Sequence, residues 1–191
     1  MGRDLPTVIR SQHAELRELL AQACRQPQVT EHTLGPQLRA RERVLKKVRH
    51  RYLAHQSARL CYLWPPLRRI SPDGRAYTDR AWAQTRAVEA RMAKRDWFGE
   101  RDQVRNQLDD TIAWGIQKQL VMEERQLGRI EAASDSGDLD GTTVARRLTS
   151  SGPWPTRPHP DVPSSYRLAA IVKRPLALTD RLVDSFAHRT E

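Results

Sequence analysis

Apolar residues recur at helical spacing in four long stretches of this chain, separated by segments rich in proline, glycine and small polar residues. Over residues 4–25, Leu5, Ile9, Leu16, Leu19 and Leu20 share one stripe, with Asp4 placed as an N-cap and Pro6 in the first turn. Pro27, Thr30, Thr33, Gly35 and Pro36 mark 26–36 as a loop. A second stripe of Val44, Val48, Tyr52 and Tyr62 or Leu63 predicts a helix from Gln37 to Leu63. Pro65-Pro66 should end it, because proline lacks the amide donor and clashes with the preceding turn. Ser71-Pro72-Asp73-Gly74 is a turn signature, followed by a helix over Arg75–Lys94 with Ala81 or Trp82, Val88 and Met92 inward. After a break at Asp96–Gly99, a fourth helix over Glu100–Ala133 carries Val104, Leu108, Ile112, Ile116, Leu127 and Ile130. Four long helices with short connections imply antiparallel neighbours, hence an all-α, up-down-up-down four-helix bundle over residues 1–133.

Residues 134–191 read differently. Ser134-Asp135-Ser136-Gly137 ends the bundle, and a short helix is expected near Asp138–Leu148. Six of the twelve prolines fall between Pro153 and Pro175, which excludes regular helix or a central strand there. Leu176–Phe186 could form one more helix. The expectation is a Pro-rich C-terminal extension, strapped over the bundle or partly disordered.

Six polar residues interrupt the inner stripes: His13 on the first helix, His55 and Arg59 on the second, Thr85 on the third, Gln119 and Glu123 on the fourth. Burying polar groups costs free energy unless they pair or bind an ion. A single inward histidine is ordinarily a satisfied core residue, and an inward Arg–Glu couple a buried salt bridge. Six such residues at comparable depth on four facing helices point instead to a site, since bundles build metal and ligand sites in this way. His55 and Arg59, and again Gln119 and Glu123, are four residues apart, so each pair shares one helix face.

Charge changes the picture little. The net charge of +10 rests on 28 arginines and only 5 lysines, spread along the chain and interleaved with acids, as in Arg41-Glu42-Arg43. This dispersal, with no recognisable nucleic-acid motif, argues against a nucleic-acid partner. No apolar run approaches the ~20 residues of a membrane span. No apolar leader follows Met1, so a cytoplasmic protein is expected. Cys24 and Cys61 should sit near opposite ends of the bundle as buried free thiols without a disulfide. Trp64, Trp82, Trp97, Trp114 and Trp154 are expected in the core and as end-plugs. His159 is a possible cap of the pocket, and His32, His50 and His188 are expected at the surface.

The polar segments resemble a known family. His55-Gln-Ser-Ala-Arg-Leu-Cys-Tyr-Leu-Trp-Pro65 is similar to the second helix of hemerythrin-like (HHE cation-binding) proteins, which read His-x-x-x-Glu-Glu…Leu-Tyr-Pro. Gln119-Leu-Val-Met-Glu123-Glu124 resembles their last helix, Gln84-Thr85-Arg-Ala-Val-Glu their third, and Ser11-Gln12-His13 their first. Pro155-Thr-Arg-Pro-His-Pro160 is similar to a tail of actinobacterial members. The resemblance implies six ligand positions for two irons. His13, His55 and Glu123 keep the ligand type, whereas Arg59 stands for glutamate and Thr85 and Gln119 stand for histidines. A guanidinium stays protonated and repels a cation, so no diiron centre and no oxygen carriage are expected.

Three readings follow. The interior pocket is repurposed to bind or transform a small-molecule ligand in the bundle core. His13, His55, Arg59 and Glu123 would then be the catalytic set, and Arg59, Thr85 and Gln119 would contact substrate. This works without metal, or with at most one ion, iron or zinc, on His13, His55 and Glu123, whose composition matches a mononuclear non-haem iron site. Alternatively, a mononuclear iron acts as a redox centre, with Arg59 facing an anionic or oxygen-derived ligand. Alternatively, Arg59–Glu123 is a structural ion pair in a metal-free interaction or regulatory protein. Enzymatic activity and oligomeric state stay open.

Overall fold

The computed structural model describes residues 4–30, 32–98 and 103–149, together with Pro158 and Asp180. The described residues are all-helical. Helix α1 is Leu5–Cys24, α2 Gly35–Ala58, α3 Trp64–Ile70, α4 Gly74–Arg95, α5 Val104–Glu124, α6 Leu127–Asp135 and α7 Gly141–Thr149; a π-helical turn, Arg59–Leu63, joins α2 to α3. Local chemistry sets the starts. The Asp4 side chain accepts from the Thr7 amide at 2.7 Å, and Pro6 occupies the first turn of α1. Gln37 reaches back to the Leu34 amide at 3.1 Å, and Asp140 caps α7 through the Thr143 amide at 2.9 Å.

Pro65 and Pro66 do not end the second helical stretch as expected. They lie in the first turn of α3, where missing amide donors cost little. The π turn makes this continuation possible: the Trp64 amide bonds back to the Arg59 carbonyl, five residues earlier, so the chain widens before the prolines instead of stopping. A close turn at Ser71–Asp73 then leads into α4. A Cβ at Gly74 would lie 1.9 Å from the Leu67 carbonyl oxygen, so only glycine fits against the end of α3.

The expected fourth helix is broken. Residues 99–102 lie outside the described set, α5 ends at Glu124, and α6 carries Leu127 and Ile130 into the core. The break is a tightened turn in which the Gln126 amide reaches the Glu123 carbonyl, three residues back, at 2.9 Å. The inner stripe of α5 also differs near its start. Val104 is exposed and Leu108 half-buried, while Arg105 and Asp109 are buried, because ion pairs rather than apolar side chains fill the interior there. On α2 the same holds for Arg41, buried, and Val44, half-buried.

Two apolar clusters flank a polar layer. One contains Leu5, Ile9, Leu60, Trp64, Trp82 and Ile130; the other contains Leu16, Leu20, Val48, Met92, Ile112 and Ile116. Along α1 the chain runs from the first cluster through Gln12 and His13 to the second. Along α2 it runs from the second through His55 to the first. α4 crosses from first to second through Thr85, and α5–α6 from second to first through Gln119 and Glu123. All four long helices therefore contribute a polar residue where the two clusters meet.

Two tryptophans depart from expectation. Trp64 and Trp82 are buried, but Trp97 and Trp114 are exposed, with Lys118 Nζ 5.1 Å from the Trp114 ring centre. Cys24 is exposed and Cys61 half-buried, so neither is the buried thiol expected, and they form no disulfide. His32 is exposed and His50 half-buried. The Pro-rich strap from Ser150, the Leu176–Phe186 helix, Trp154, His159 and His188 lie outside the described residues.

Candidate functional site

The polar layer converges on Glu123. Its Oε2 lies 3.1 Å from His13 Nε2 and 3.2 Å from His55 Nε2, and it accepts from Arg59 Nε. The π turn begins at Arg59, so the widened backbone starts at the residue that points its guanidinium into the layer. Arg59 Nη1 donates to Gln12 Oε1 at 3.0 Å, and Gln12 Nε2 donates to the Leu148 carbonyl of α7 at 3.0 Å. His13, Arg59, Thr85 and Gln119 have no exposed surface, and His55 and Glu123 almost none.

Burial first, and then the adjacent Arg59 charge, push the His55 imidazole down to about 3. Neutral His55 carries one ring proton. Its Nδ1 has no hydrogen-bond partner among the described residues, so that proton belongs on Nε2, facing Glu123. Burial by itself would raise Glu123, but the Arg59 charge and the two histidines outweigh it and hold the carboxyl well below the usual range. His13 places its other nitrogen, Nδ1, 3.1 Å from Glu124 Oε1. Arg17 donates to Glu124 at 2.8 Å and lowers its pKa.

Thr85 and Gln119 form a neutral half of the layer. Gln119 Nε2 donates to Gln56 Oε1 at 2.7 Å and to Thr85 Oγ1 at 2.9 Å, while its Oε1 accepts from the Tyr52 hydroxyl at 2.7 Å. Burial, followed by Glu89, raises the Tyr52 phenol well above its ordinary value, so it remains a donor. Gln56 Nε2 lies 3.4 Å from Glu123 Oε1 and links the neutral half to the charged half.

The structure thus brings all six sequence-derived positions into one layer. Gln12, Tyr52, Gln56 and Glu124 belong to it as well. Tyr52 was already on the inner stripe, where it read as core. Gln12 and Gln56 each neighbour an inward histidine, a position that simple stripe counting assigns to a helix flank.

In composition and mutual approach, His13, His55 and Glu123 match a one-ion donor set: one ligand atom from each lies within 4.8 Å of the others. Two features oppose an ion. Arg59 Nε–H occupies the same carboxylate oxygen that an ion would use, bringing a permanent positive charge to the point of convergence. A metal on His55 Nε2 would also move the ring proton to Nδ1, which has no acceptor, whereas metal-bound histidines depend on such a partner. As arranged, the point of convergence is taken by the Arg59 guanidinium.

A second buried charged cluster lies toward the starts of α2 and α5, and sequence reasoning missed it. Asp109 accepts from Arg41 Nη2 at 2.9 Å and from Arg95 Nε; Arg95 also grips Glu42 at 2.6 and 3.2 Å, and Arg105 reaches Glu42 at 3.2 Å. The available signal was spacing: Asp109, Ile112, Ile116, Gln119 and Glu123 continue one stripe, and so do Arg41, Val48, Tyr52 and His55.

Comparison of the chain with family models, curated proteins and solved structures gives no match. Among the described residues no helix is long and apolar enough to cross a membrane.

Proposed function

We propose that this chain is a metal-free, hemerythrin-like four-helix bundle in which the Arg59 guanidinium replaces a metal cation as the charge that holds Glu123. Up-down-up-down topology is supported by the alternating order in which α1, α2, α4 and α5–α6 cross the two apolar clusters. The observation that carries the reading is the convergence of Arg59 Nε, His13 Nε2 and His55 Nε2 on Glu123 Oε2. Arg59 donates to Gln12 of α1 and to Glu123 of α5 and so ties both helices to the π turn, while its Nη2 has no partner among the described residues. In this reading the cluster is a structural ion pair, the protein is an interaction or regulatory bundle, and neither oxygen carriage nor diiron chemistry belongs to it.

Cobalt(II) titration followed by visible absorption tests this. The wild type is expected to develop no saturable ligand-field band. Arg59→Glu, which removes the competing cation and supplies a further carboxylate, is expected to gain one. A wild-type band saturating at one equivalent and lost in His55→Ala would favour a single-metal site instead, with Glu124 orienting His13.

A further inference from the structure

Away from the Glu123 layer, the described residues line a half-open cavity of about 470 Å³. It adjoins Arg41, fourteen residues before His55 on α2, or about 21 Å along that helix. Its size falls within the range of small-molecule sites. Its walls combine an apolar surface, including Leu20, Val48, Met92 and Ile112, with Arg41, Glu42, Arg95 and Asp109 of the second charged cluster.

The charges on the cavity walls do not balance. Five cations, Arg41, Arg43, Lys46, Arg49 and Arg95, line it against four carboxylates, so the walls carry one surplus positive charge. The hydrogen bonding there is also incomplete. Arg41 is buried, donates from Nη1 to the Pro27 carbonyl and from Nη2 to Asp109, yet its Nε has no partner. Arg49, which also lines the cavity, uses Nη1 on Asp96 and likewise leaves Nε without a partner. A buried donor without an acceptor is costly, and a turn of either guanidinium toward the cavity would let an oxygen anion relieve that cost.

We propose that this cavity binds a small amphipathic carboxylate, its head group received by Arg41 and Arg49 and its apolar body lying against Leu20, Val48, Met92 and Ile112. A single surplus charge suits a monoanion, and the planar guanidinium fork suits a carboxylate. Neutral alcohols of the same length would fill the same walls but leave the charge unmatched. The site is separate from the Glu123 cluster and stands whether or not the metal-free reading holds.

Octanoate and 1-octanol, titrated into the full-length protein by calorimetry, are the probes. Octanoate is expected to bind at one site about tenfold or more tightly than octanol, the gain of one charge-assisted contact. Arg41→Met should bring octanoate to the octanol level and leave octanol unchanged. Arg41 also holds Asp109, so that variant could lose its fold; a readout on the wild type covers this case. Cys24 is exposed and lines the cavity, whereas Cys61 is not among its lining residues. Octanoate should slow iodoacetamide alkylation of Cys24 several-fold and leave Cys61 unaffected, as read by peptide mass spectrometry. Absence of saturable octanoate binding, equal affinity for octanol, or unprotected Cys24 at saturating octanoate would each overturn the proposal.

Discussion

Arg59 donates from Nε to the one oxygen of Glu123 that His13 and His55 also face, while among the described residues the other carboxylate oxygen has only Gln56, at 3.4 Å. A carboxylate so loaded on one side is held by a cation at that side. Removing Arg59 alone leaves a buried negative charge, and removing Glu123 alone leaves a buried positive one. Arg59→Met and Glu123→Met are each expected to lower unfolding free energy by about 3–5 kcal/mol, whereas the double variant should recover most of that loss. Urea unfolding of the four proteins measures the coupling; additive losses would mean the two side chains are energetically independent.

Acid should destabilise the fold before ordinary carboxylates titrate. His55 is held neutral down to about pH 3, whereas in the unfolded chain it takes up a proton near 6.5. Between those values the unfolded state binds more protons, so stability falls as pH falls, by about 1.4 kcal/mol per unit well inside the window. Glu123 acts in the same direction lower down: its lowered pKa contributes stability above about 4.5 that is lost as pH falls through its folded value. His55→Gln keeps a donor toward Glu123 but cannot titrate. Its unfolding free energy should depend less on pH between 6.5 and 4.5 than that of the wild type.

The neutral half of the layer should be sensitive through unmet hydrogen bonds. Gln119→Leu strips partners from the Tyr52 hydroxyl, Gln56 Oε1 and Thr85 Oγ1 together. A loss of about 2–4 kcal/mol is expected, larger than the roughly 1 kcal/mol of Tyr52→Phe, which removes one bond. Equal losses would show that Gln119 does not organise the group.

At the other end of the bundle, Asp109 is the shared acceptor of Arg41 and Arg95. Asp109→Ala leaves both guanidiniums short of a counter-charge, and about 3–5 kcal/mol of destabilisation is expected in chemical denaturation. A surface pair such as Arg129–Asp73 provides the contrast; Asp73→Ala should change stability by less than about 1 kcal/mol.

Much of this organisation was legible in the chain. Helical periodicity placed α1, α2 and α4 within about five residues and ran α5 and α6 together as one helix, and polar interruptions of the stripes found the six residues of the layer. The misses have physical causes. Leu108 and Asp109 both fit helical spacing before Ile112, and hydropathy favours Leu108; paired arginines on two other helices decide for Asp109, which only tertiary structure reveals. Pro65-Pro66 reads as a stop, yet a π turn absorbs the missing donors and the chain continues as α3. Trp97 and Trp114 read as core by residue type, but Trp97 lies in the turn after α4 and α5 buries a face other than that of Trp114. Glu123's choice of partner depended on where the Arg59 side chain lies, a distance that spacing cannot supply.

The central claim, that Arg59 stands where a metal would, is tested most directly by the metal content of the wild-type protein purified from iron- and zinc-supplemented culture. The account expects metal far below one equivalent, and a content that His55→Ala leaves unchanged. One equivalent of iron or zinc per chain, lost on His55→Ala, would contradict it.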